Sequence, residues 1–509
     1  MSSEANVDFE RIGPDGLRQV PVIAQALDNQ WLATPELRGL WDGRLSTRAA
    51  LRKQDERVRA EYVRALVNGE QTVVNRAYLY NNPAVARDYL RDSPEREAFK
   101  QLLADGVLIP FLWNESSPVQ EPRFGLDGTG WQGWSRVCEE TRSTCLRMDW
   151  DDAANAEDAQ ALAREFSRYA HDLNLIDVPA LARVLEVPAQ RQERLRERLL
   201  DVADFCNDRI RETGLVLRDD IYRRFVVTEG ANPADRGYDA TREFGAEIKQ
   251  LVDLAYNVNL ADRLGAFALT PHGSPPRSML QEWHLRRRTP GRDLAPGQLV
   301  EIVRRTAFEV VQEGLFVESF AELTLSDVLA LRGTPQWRRY LTRLQGLLSD
   351  PLVAEPARFA DPEHGAPAVV AAYVAMLREA SSLASKRRVA ARMARWTPAV
   401  ELLVEVANAG VRVLLGADPA FEILGEVTRA FANRAAPVVV RLLVNRRVDR
   451  SEQARLDSSL RLIEGRFPGS GLRQWEALIA DLRLAGFAEI GAVGGRVEAA
   501  ELAEGERAD

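Results

Sequence analysis

Apolar residues that recur every three to four positions constrain the fold of this 509-residue chain more than any other feature. This spacing places apolar side chains on one face of a helix, whereas a half-buried strand would alternate apolar and polar residues. The segments with helical spacing are 46–68, 153–174, 190–213, 237–265, 297–315, 335–349, 367–384 and 398–416. The sequence therefore predicts a mainly α, multi-helical globular protein with few strands.

Polar residues mark where some of these helices begin. The segment Asp149–Asp152 places carboxylates where the free N–H groups of a helix N-terminus accept them, just before Ala153. The segment Thr324–Asp327 has the same character. Gly333-Thr334-Pro335 should end that second helix and start the next one.

Few segments carry strand signals. The short apolar run Val107–Leu112 is either one strand or a buried coil. Near the C-terminus, Phe487–Val493 and Arg496–Ala500 flank two glycines, which predicts a small β-hairpin. The hairpin follows a predicted helix, Leu472–Ala485, and a helix followed by a hairpin resembles the end of a winged helix.

Breaks in the pattern divide the chain into predicted domains. The Pro- and Gly-rich segment Thr270–Arg277 is the strongest break, and a chain of this length should hold two or three domains. We predict an N-terminal helical domain, a C-terminal helical domain, and a winged-helix-like segment that ends in an acidic disordered tail. Their bounds are 1–270, with a Gly/Trp loop at 125–150, then 277–465 and 466–509.

Composition limits the class of protein and its location. The net charge of −8 gives no general attraction to nucleic acid or anionic lipid. Only four of the 67 basic residues are lysines, which indicates a GC-rich bacterial genome. Three cysteines cannot form a disulfide framework, so we expect reduced thiols and a cytoplasmic protein. Cys138 and Cys145 are seven apart and should share one helix face.

We expect no membrane-spanning segment. The N-terminus lacks the basic start and apolar run of a signal peptide. The longest apolar candidate, Pro398–Gly416, contains Glu401, Glu405 and Arg412.

The segment Gly128–Gly133 spells the dinucleotide fingerprint G-x-G-x-x-G. In that fold a buried strand delivers the glycines to a helix whose amides hold a pyrophosphate. Residues 121–127 lack the apolar run of such a strand, and we expect only helices to follow, with no βαβ alternation. The sequence thus predicts no bound cofactor. Trp131 and Trp134 either cover the core or form a binding surface in a loop that enters a helix from about Trp134 to Met148; we favour the first.

Short catalytic or metal-binding motifs are missing. The four histidines are scattered, and neither H-E-x-x-H, G-x-S-x-G nor a phosphate-binding loop occurs. Asp149–Asp152 matches the D-x-D-D pattern of class II terpene cyclases, but no second aspartate-rich motif accompanies it, and helix capping explains these carboxylates more simply. We predict no metal, although carboxylates from distant parts of the chain could still assemble one.

Two groups of residues are candidates for binding. Val74–Pro83 concentrates amides, tyrosines and an arginine, which line a cleft or close a helix end. With the tryptophan loop and the acidic helix start, it supplies the ligand or partner candidates Asn75, Arg76, Tyr78, Trp131, Trp134 and Asp149. The second group forms a basic helical stripe suited to phosphates and stacking. Its nucleic-acid candidates are Lys386, Arg387, Arg388, Arg392, Arg395 and Trp396.

The absence of catalytic motifs favours a cytoplasmic helical interaction or sensor protein with a protein partner. A role in a bacterial defence or stress system would fit a large chain with so few motifs. Two alternatives remain open. One is a nucleic-acid-binding protein that uses the basic helix 386–396. The other is an enzyme whose site is built around Asn75, Arg76 and the Trp131/Trp134 loop.

Overall fold

Six short strands form one parallel sheet in the computed structural model, so the prediction of a mainly α fold is wrong: this is an α/β fold. Along the sheet the strand order is β1-β5-β4-β3-β2-β6, and every neighbouring pair is parallel. The strands are β1 Phe9–Ile12, β2 Pro21–Ala24, β3 Gln71–Asn75, β4 Leu108–Phe111, β5 Ser143–Leu146 and β6 Phe267–Leu269.

The structure describes residues 8–271, 323–350 and 363–383, with gaps at 29–30, 123–128, 177, 186 and 232–237, and a few positions between 274 and 321. The predicted C-terminal helix and hairpin and the basic stripe lie outside these residues, as do the helix at 398–416 and most of the helix at 297–315. The predicted domain boundaries stay predictions.

Helices cover both faces of the sheet. Their bounds are α1 Thr34–Trp41, α2 Thr47–Asn68, α3 Arg76–Asn81, α4 Pro83–Ala86, α5 Pro94–Ala104, α6 Thr129–Glu140, α7 Asp152–His171, α8 Val178–Val184, α9 Gln192–Thr213, α10 Arg218–Phe225, α11 Gly245–Arg263, α12 Leu325–Arg332, α13 Pro335–Ser349 and α14 Ala366–Leu383. The helices predicted at 46–68, 153–174, 190–213, 335–349 and 367–384 are confirmed within a few residues, and the one predicted at 237–265 is shorter.

The capping residues behave as their chemistry predicts. The carboxylate of Asp151 accepts hydrogen bonds from two N–H groups in the first turn of α7. Thr324 and Asp327 cap α12 reciprocally, and the hydroxyl of Thr334 accepts from the N–H of Trp337 at the start of α13. The predicted helix starts are therefore confirmed, because each depends on bonds between residues close in sequence.

The two faces of the sheet carry separate cores. Helices α2, α5, α6 and α12–α14 contribute to the core on one face, and α7 and α9–α11 contribute to the other. The described helices after residue 270 pack against α2, where Trp337 donates to the carbonyl of Val67 at 2.8 Å. The guanidinium of Arg332 also donates to the last carbonyls of α2, those of Leu66, Gly69 and Glu70. These helices thus share one core with the N-terminal part.

The region that follows the glycine-rich segment differs from the prediction. The helix expected from Trp134 to Met148 is instead α6 followed by β5, so a βαβ alternation is present after all. Cys138 lies on α6 and Cys145 on β5, and they do not share a helix face. Both thiols are buried and free, and burial raises the pKa of Cys145 to about 12.

Candidate ligand-binding site at the carboxyl edge of the sheet

Two glycines of the fingerprint, Gly130 and Gly133, are packing positions inside α6. Gly130 and Gly133 belong to the helix, and the preceding strand β4 ends well before it, so they do not form a strand-to-helix phosphate turn. A Cβ atom on Gly130 would lie 2.2 Å from the carbonyl oxygen of Tyr80. A Cβ on Gly133 would press on Tyr89 and Leu90. Glycine here lets α6 approach its neighbours closely.

Both tryptophans of this segment pack into the protein. Trp134 is fully buried, and its indole N–H donates to the carbonyl of Pro118 at 2.7 Å. Trp131 is half-buried and meets the ring of Tyr80 edge-on, with 5.1 Å between the ring centres. Neither indole forms an open aromatic surface.

Arg76 fastens the loop that follows β4. Its side chain is fully buried, and its guanidinium lies 5.2 Å from the ring centre of Trp131. It donates to the carbonyl groups of Pro118 and Gln120 and pairs with the carboxylate of Glu115. Because the chain itself uses these donors, Arg76 stabilises the loop.

The remaining sequence candidates separate into different places. Asp149 accepts a hydrogen bond from the N–H of Asp151 at 2.7 Å and so closes the turn before α7. Asn75 ends β3, and its side chain caps the N–H of Ala77 at 2.9 Å. The basic residues Lys386, Arg387, Arg388, Arg392, Arg395 and Trp396 lie outside the described residues. Of the six ligand or partner candidates, Asn75 and Tyr78 line one cavity together.

This cavity lies between the carboxyl ends of β2–β4 and the buried helix α11. Its free volume is about 10 Å³, which is about enough for one water molecule. Tyr78 and Asn75 line it from the sheet side, and Tyr256 and Asn257 line it from α11. The hydroxyl of Tyr78 donates to the carboxylate of Asp28 at 3.2 Å.

Arg218 of α10 pairs with the Asp28 carboxylate beside this cavity. Its guanidinium lies 4.6 Å from the ring centre of Tyr256 and 5.6 Å from that of Tyr222. The side chain of Asp28 is 2% exposed, whereas that of Arg218 is 15% exposed. Burial alone would lower the pKa of Arg218, but Asp28 and the tyrosines raise it overall, so the side chain stays cationic.

A second ion pair lies deeper, on α11. The ammonium of Lys249 is 2.6 Å from the carboxylate of Asp253, and both side chains are buried. The hydroxyl of Tyr222 also donates to Asp253. Burial raises the pKa of Asp253, and Lys249 opposes that effect. Together with Arg218 and Asp28, this pair places two cations and two carboxylates close to one another.

The strand order reverses between β2 and β6, beside this network. From β2 the chain builds the sheet outward through β3, β4 and β5, and then returns to place β6 on the other side of β2. In open parallel sheets, ligands bind outside the carboxyl ends of the strands at such a reversal. The register pairs Ala24 with Leu269, so Gln25 and Thr270 are the next residues at this level of the sheet.

Two residues that directly follow the strands at this reversal carry buried polar atoms without partners. Gln25 is fully buried, and neither its amide nitrogen nor its amide oxygen has a hydrogen-bond partner. The hydroxyl of Thr270 is also buried without a partner. Most buried polar groups in proteins are paired, and an unpaired one costs about 1–3 kcal/mol.

Two further residues, which hydrogen bonds connect to the segment after β2, also carry unpaired atoms. The backbone N–H of Trp31 donates to the carbonyl of Asp28 at 2.9 Å, and its indole N–H is buried without a partner. On α11, Gln250 donates to the carbonyl of Leu32 at 2.5 Å, but its amide oxygen has no partner. We call Gln25, Trp31, Gln250 and Thr270 the edge cluster.

Sequence reasoning missed the edge cluster and both ion pairs. Gln25 directly follows the short run Pro21–Ala24 and Asp28 comes three residues later, so recognising that run as a strand would have placed both near a carboxyl edge. Lys249 and Asp253 have the i, i+4 spacing of a helical ion pair, but spacing alone does not separate a buried pair from an exposed one.

The described part of the chain contains neither a metal-binding cluster nor a membrane-spanning helix. No group of three or more His, Cys, Asp or Glu side chains there is arranged to hold a metal ion. None of the helices described is long and apolar enough to cross a bilayer.

The fold and this edge define an α/β protein with a parallel sheet and a buried polar cluster where the strand order reverses. Comparison of the chain with family models, with curated proteins and with solved structures found no match.

Proposed function

We propose that this protein binds a small polar molecule at the carboxyl edge of its sheet, between β2 and β6. The main support is the side chain of Gln25, which is fully buried at the strand-order reversal with both amide atoms unpaired. Folding alone would favour an apolar residue there, because the desolvation of the amide is not repaid by a hydrogen bond. A ligand that supplies the missing hydrogen-bond partners offsets this desolvation cost.

The chemistry of the edge cluster suggests what part of the ligand it contacts. Gln25 offers one donor and one acceptor side by side, Trp31 offers a donor, and Gln250 offers an acceptor. None of these groups is charged. The amide of Gln25 complements a neutral group with adjacent donor and acceptor atoms, such as a carboxamide or the edge of a nucleobase.

Ligand binding fits the sensor hypothesis, in which the bound molecule changes a contact with a partner protein. It also fits the enzyme hypothesis, but with the site moved from Arg76 and the tryptophans to the edge cluster and Tyr78. The nucleic-acid hypothesis stays a prediction for residues 386–396.

Thermal unfolding with a panel of small molecules tests the proposal. Adenosine, nicotinamide, glutamine and glucose are suitable probes, because they present different donor and acceptor patterns. A ligand at 100 times its Kd stabilises the folded state by about 2.7 kcal/mol. We expect at least one probe, or a molecule released from the natively purified protein, to raise the Tm of the wild type and not that of Gln25→Leu.

A matched control is Gln71→Leu, because Gln71 is a buried glutamine at the amino end of β3, away from the proposed site. This variant should keep the ligand-induced shift. The proposal fails if every stabilising molecule acts equally on the wild type and on Gln25→Leu, or if no molecule stabilises the wild type and none is released from it.

A further inference from the structure

Arg218 and Asp28 form an ion pair within one turn of the edge cluster, and this inference rests on the proposed function. We propose that the ligand carries an oxyanion, either a carboxylate or a phosphate. This oxyanion displaces the carboxylate of Asp28 and takes its place in the ion pair with Arg218. The ligand then carries two features, a neutral hydrogen-bonding group for Gln25 and an anionic group for Arg218.

The surroundings of Arg218 fit the recognition of an oxyanion. The guanidinium lies near the rings of Tyr256 and Tyr222, at 4.6 and 5.6 Å from their centres, and these contacts limit its orientation. Arginine presents a planar fork of donors that matches the oxygens of a carboxylate or phosphate. A partly fixed guanidinium loses less conformational freedom on binding than a free one.

Exposure separates the two ion pairs of the network. The side chain of Arg218 is 15% exposed, whereas that of Lys249 is 0% exposed. Arg218 is therefore the cation that a molecule entering from solvent reaches first. Lys249 already has the carboxylate of Asp253 at 2.6 Å, and its ammonium lies 5.3 Å from the ring centre of Tyr222.

The position of Asp28 ties it to the edge cluster. The N–H of Asp28 donates to the carbonyl of Gln25 at 3.2 Å, so the two residues belong to one turn. The cavity lined by Tyr78 and Tyr256 lies beside the pair. A ligand on Gln25 therefore has Arg218 one turn away, and Asp28 is the group it must displace.

Titration with simple anions tests this inference. Inorganic phosphate and acetate are added to the wild type and to Asp28→Asn at constant ionic strength with chloride, and binding is measured by calorimetry and by the shift in Tm. We expect Asp28→Asn to bind one of these anions at least tenfold more tightly than the wild type. Preference for phosphate assigns a phosphate ligand, and preference for acetate assigns a carboxylate ligand.

Two further variants control the result. Tyr78→Phe removes the hydroxyl that holds Asp28 and keeps the ion pair, so it should tighten anion binding about fivefold, the equivalent of one hydrogen bond. This milder change still tests the inference if Asp28→Asn does not fold. Combining Asp28→Asn with Arg218→Gln should abolish the gain.

The inference is overturned if neither Asp28→Asn nor Tyr78→Phe binds the anions more tightly, or if the gain persists without Arg218. A Gln25-dependent ligand that is released from the natively purified protein and is uncharged would also overturn it and leave the proposed function intact. Tight anion binding by Asp28→Asn without any Gln25-dependent ligand would instead support Arg218 as the anion site and contradict the proposed function.

Discussion

Asp253→Ala should lower the free energy of unfolding by about 3–5 kcal/mol, the cost of leaving a buried charge without its partner. The ammonium of Lys249 lies 2.6 Å from the Asp253 carboxylate, and neither side chain is more than 1% exposed. The variant also removes the acceptor for the hydroxyl of Tyr222. Urea unfolding at pH 7, followed by circular dichroism, measures the loss.

An exposed ion pair provides the matched control. Asp201 pairs with Arg198 on α9 at 3.0 Å, with side chains 60% and 24% exposed. Asp201→Ala should change the stability by less than about 1 kcal/mol. The double variant Lys249→Met, Asp253→Leu removes both buried charges and should recover most of the loss. Equal effects of Asp253→Ala and Asp201→Ala would contradict the buried network.

Gly130→Ala should destabilise the protein by about 1–3 kcal/mol, because the added methyl group forces the backbones of α6 and α3 apart. The new Cβ would lie 2.2 Å from the carbonyl oxygen of Tyr80, which belongs to α3 and cannot move without shifting that helix. A loss of stability would distinguish overpacking from helix propensity, because helix propensity acts in the opposite direction. Replacing a glycine inside a helix with alanine normally stabilises it by about 0.5–1 kcal/mol.

Gly346 of α13 is a control position where the usual stabilisation by alanine is expected. No atom lies within 4 Å of a Cβ built on it, so Gly346→Ala should be stabilising. Thermal unfolding of both variants separates packing from helix propensity. If Gly130→Ala is as stable as Gly346→Ala, α6 does not pack closely on Tyr80, and the packing role of the fingerprint glycine is wrong.

Helices were predictable from the sequence because their signals are local. The apolar spacing of α2 extends over 22 residues, and the caps of α7 and α12 involve side chains within three residues of the N–H groups they bind. Such signals need no knowledge of the rest of the chain.

The sheet was not predictable for a physical reason. Its strands have three to five residues each, and β2–β6 are buried almost throughout, so they show no alternation of apolar and polar residues. Pro110 lies in β4, although proline lacks the N–H group of an interior strand. The polar residues Ser143 and Thr144 make the buried strand β5 look like an exposed segment in the sequence.

The candidate site was missed for the same reason. Asn75 and Tyr78 were found because polar residues are dense around them, but Gln25, Arg218 and Thr270 are isolated in sequence. Gln25 and Thr270 belong to one region because β2 and β6 are neighbours in the sheet, although the residues of these strands lie more than 240 positions apart. No local signal in a single sequence indicates that β2 and β6 pair with each other.

The central claim is that Gln25 is kept for a ligand at a cost in stability, and the free energies of unfolding of Gln25→Leu and Gln71→Leu test it most directly. Gln71 is paired on both sides, since its amide oxygen accepts from the N–H of Arg18 at 2.7 Å and its nitrogen donates to the carbonyl of Gly106 at 3.0 Å. Without ligand, Gln71→Leu should lose about 1–3 kcal/mol, whereas Gln25→Leu should gain about 1–2 kcal/mol. A loss in Gln25→Leu as large as that in Gln71→Leu would contradict the claim.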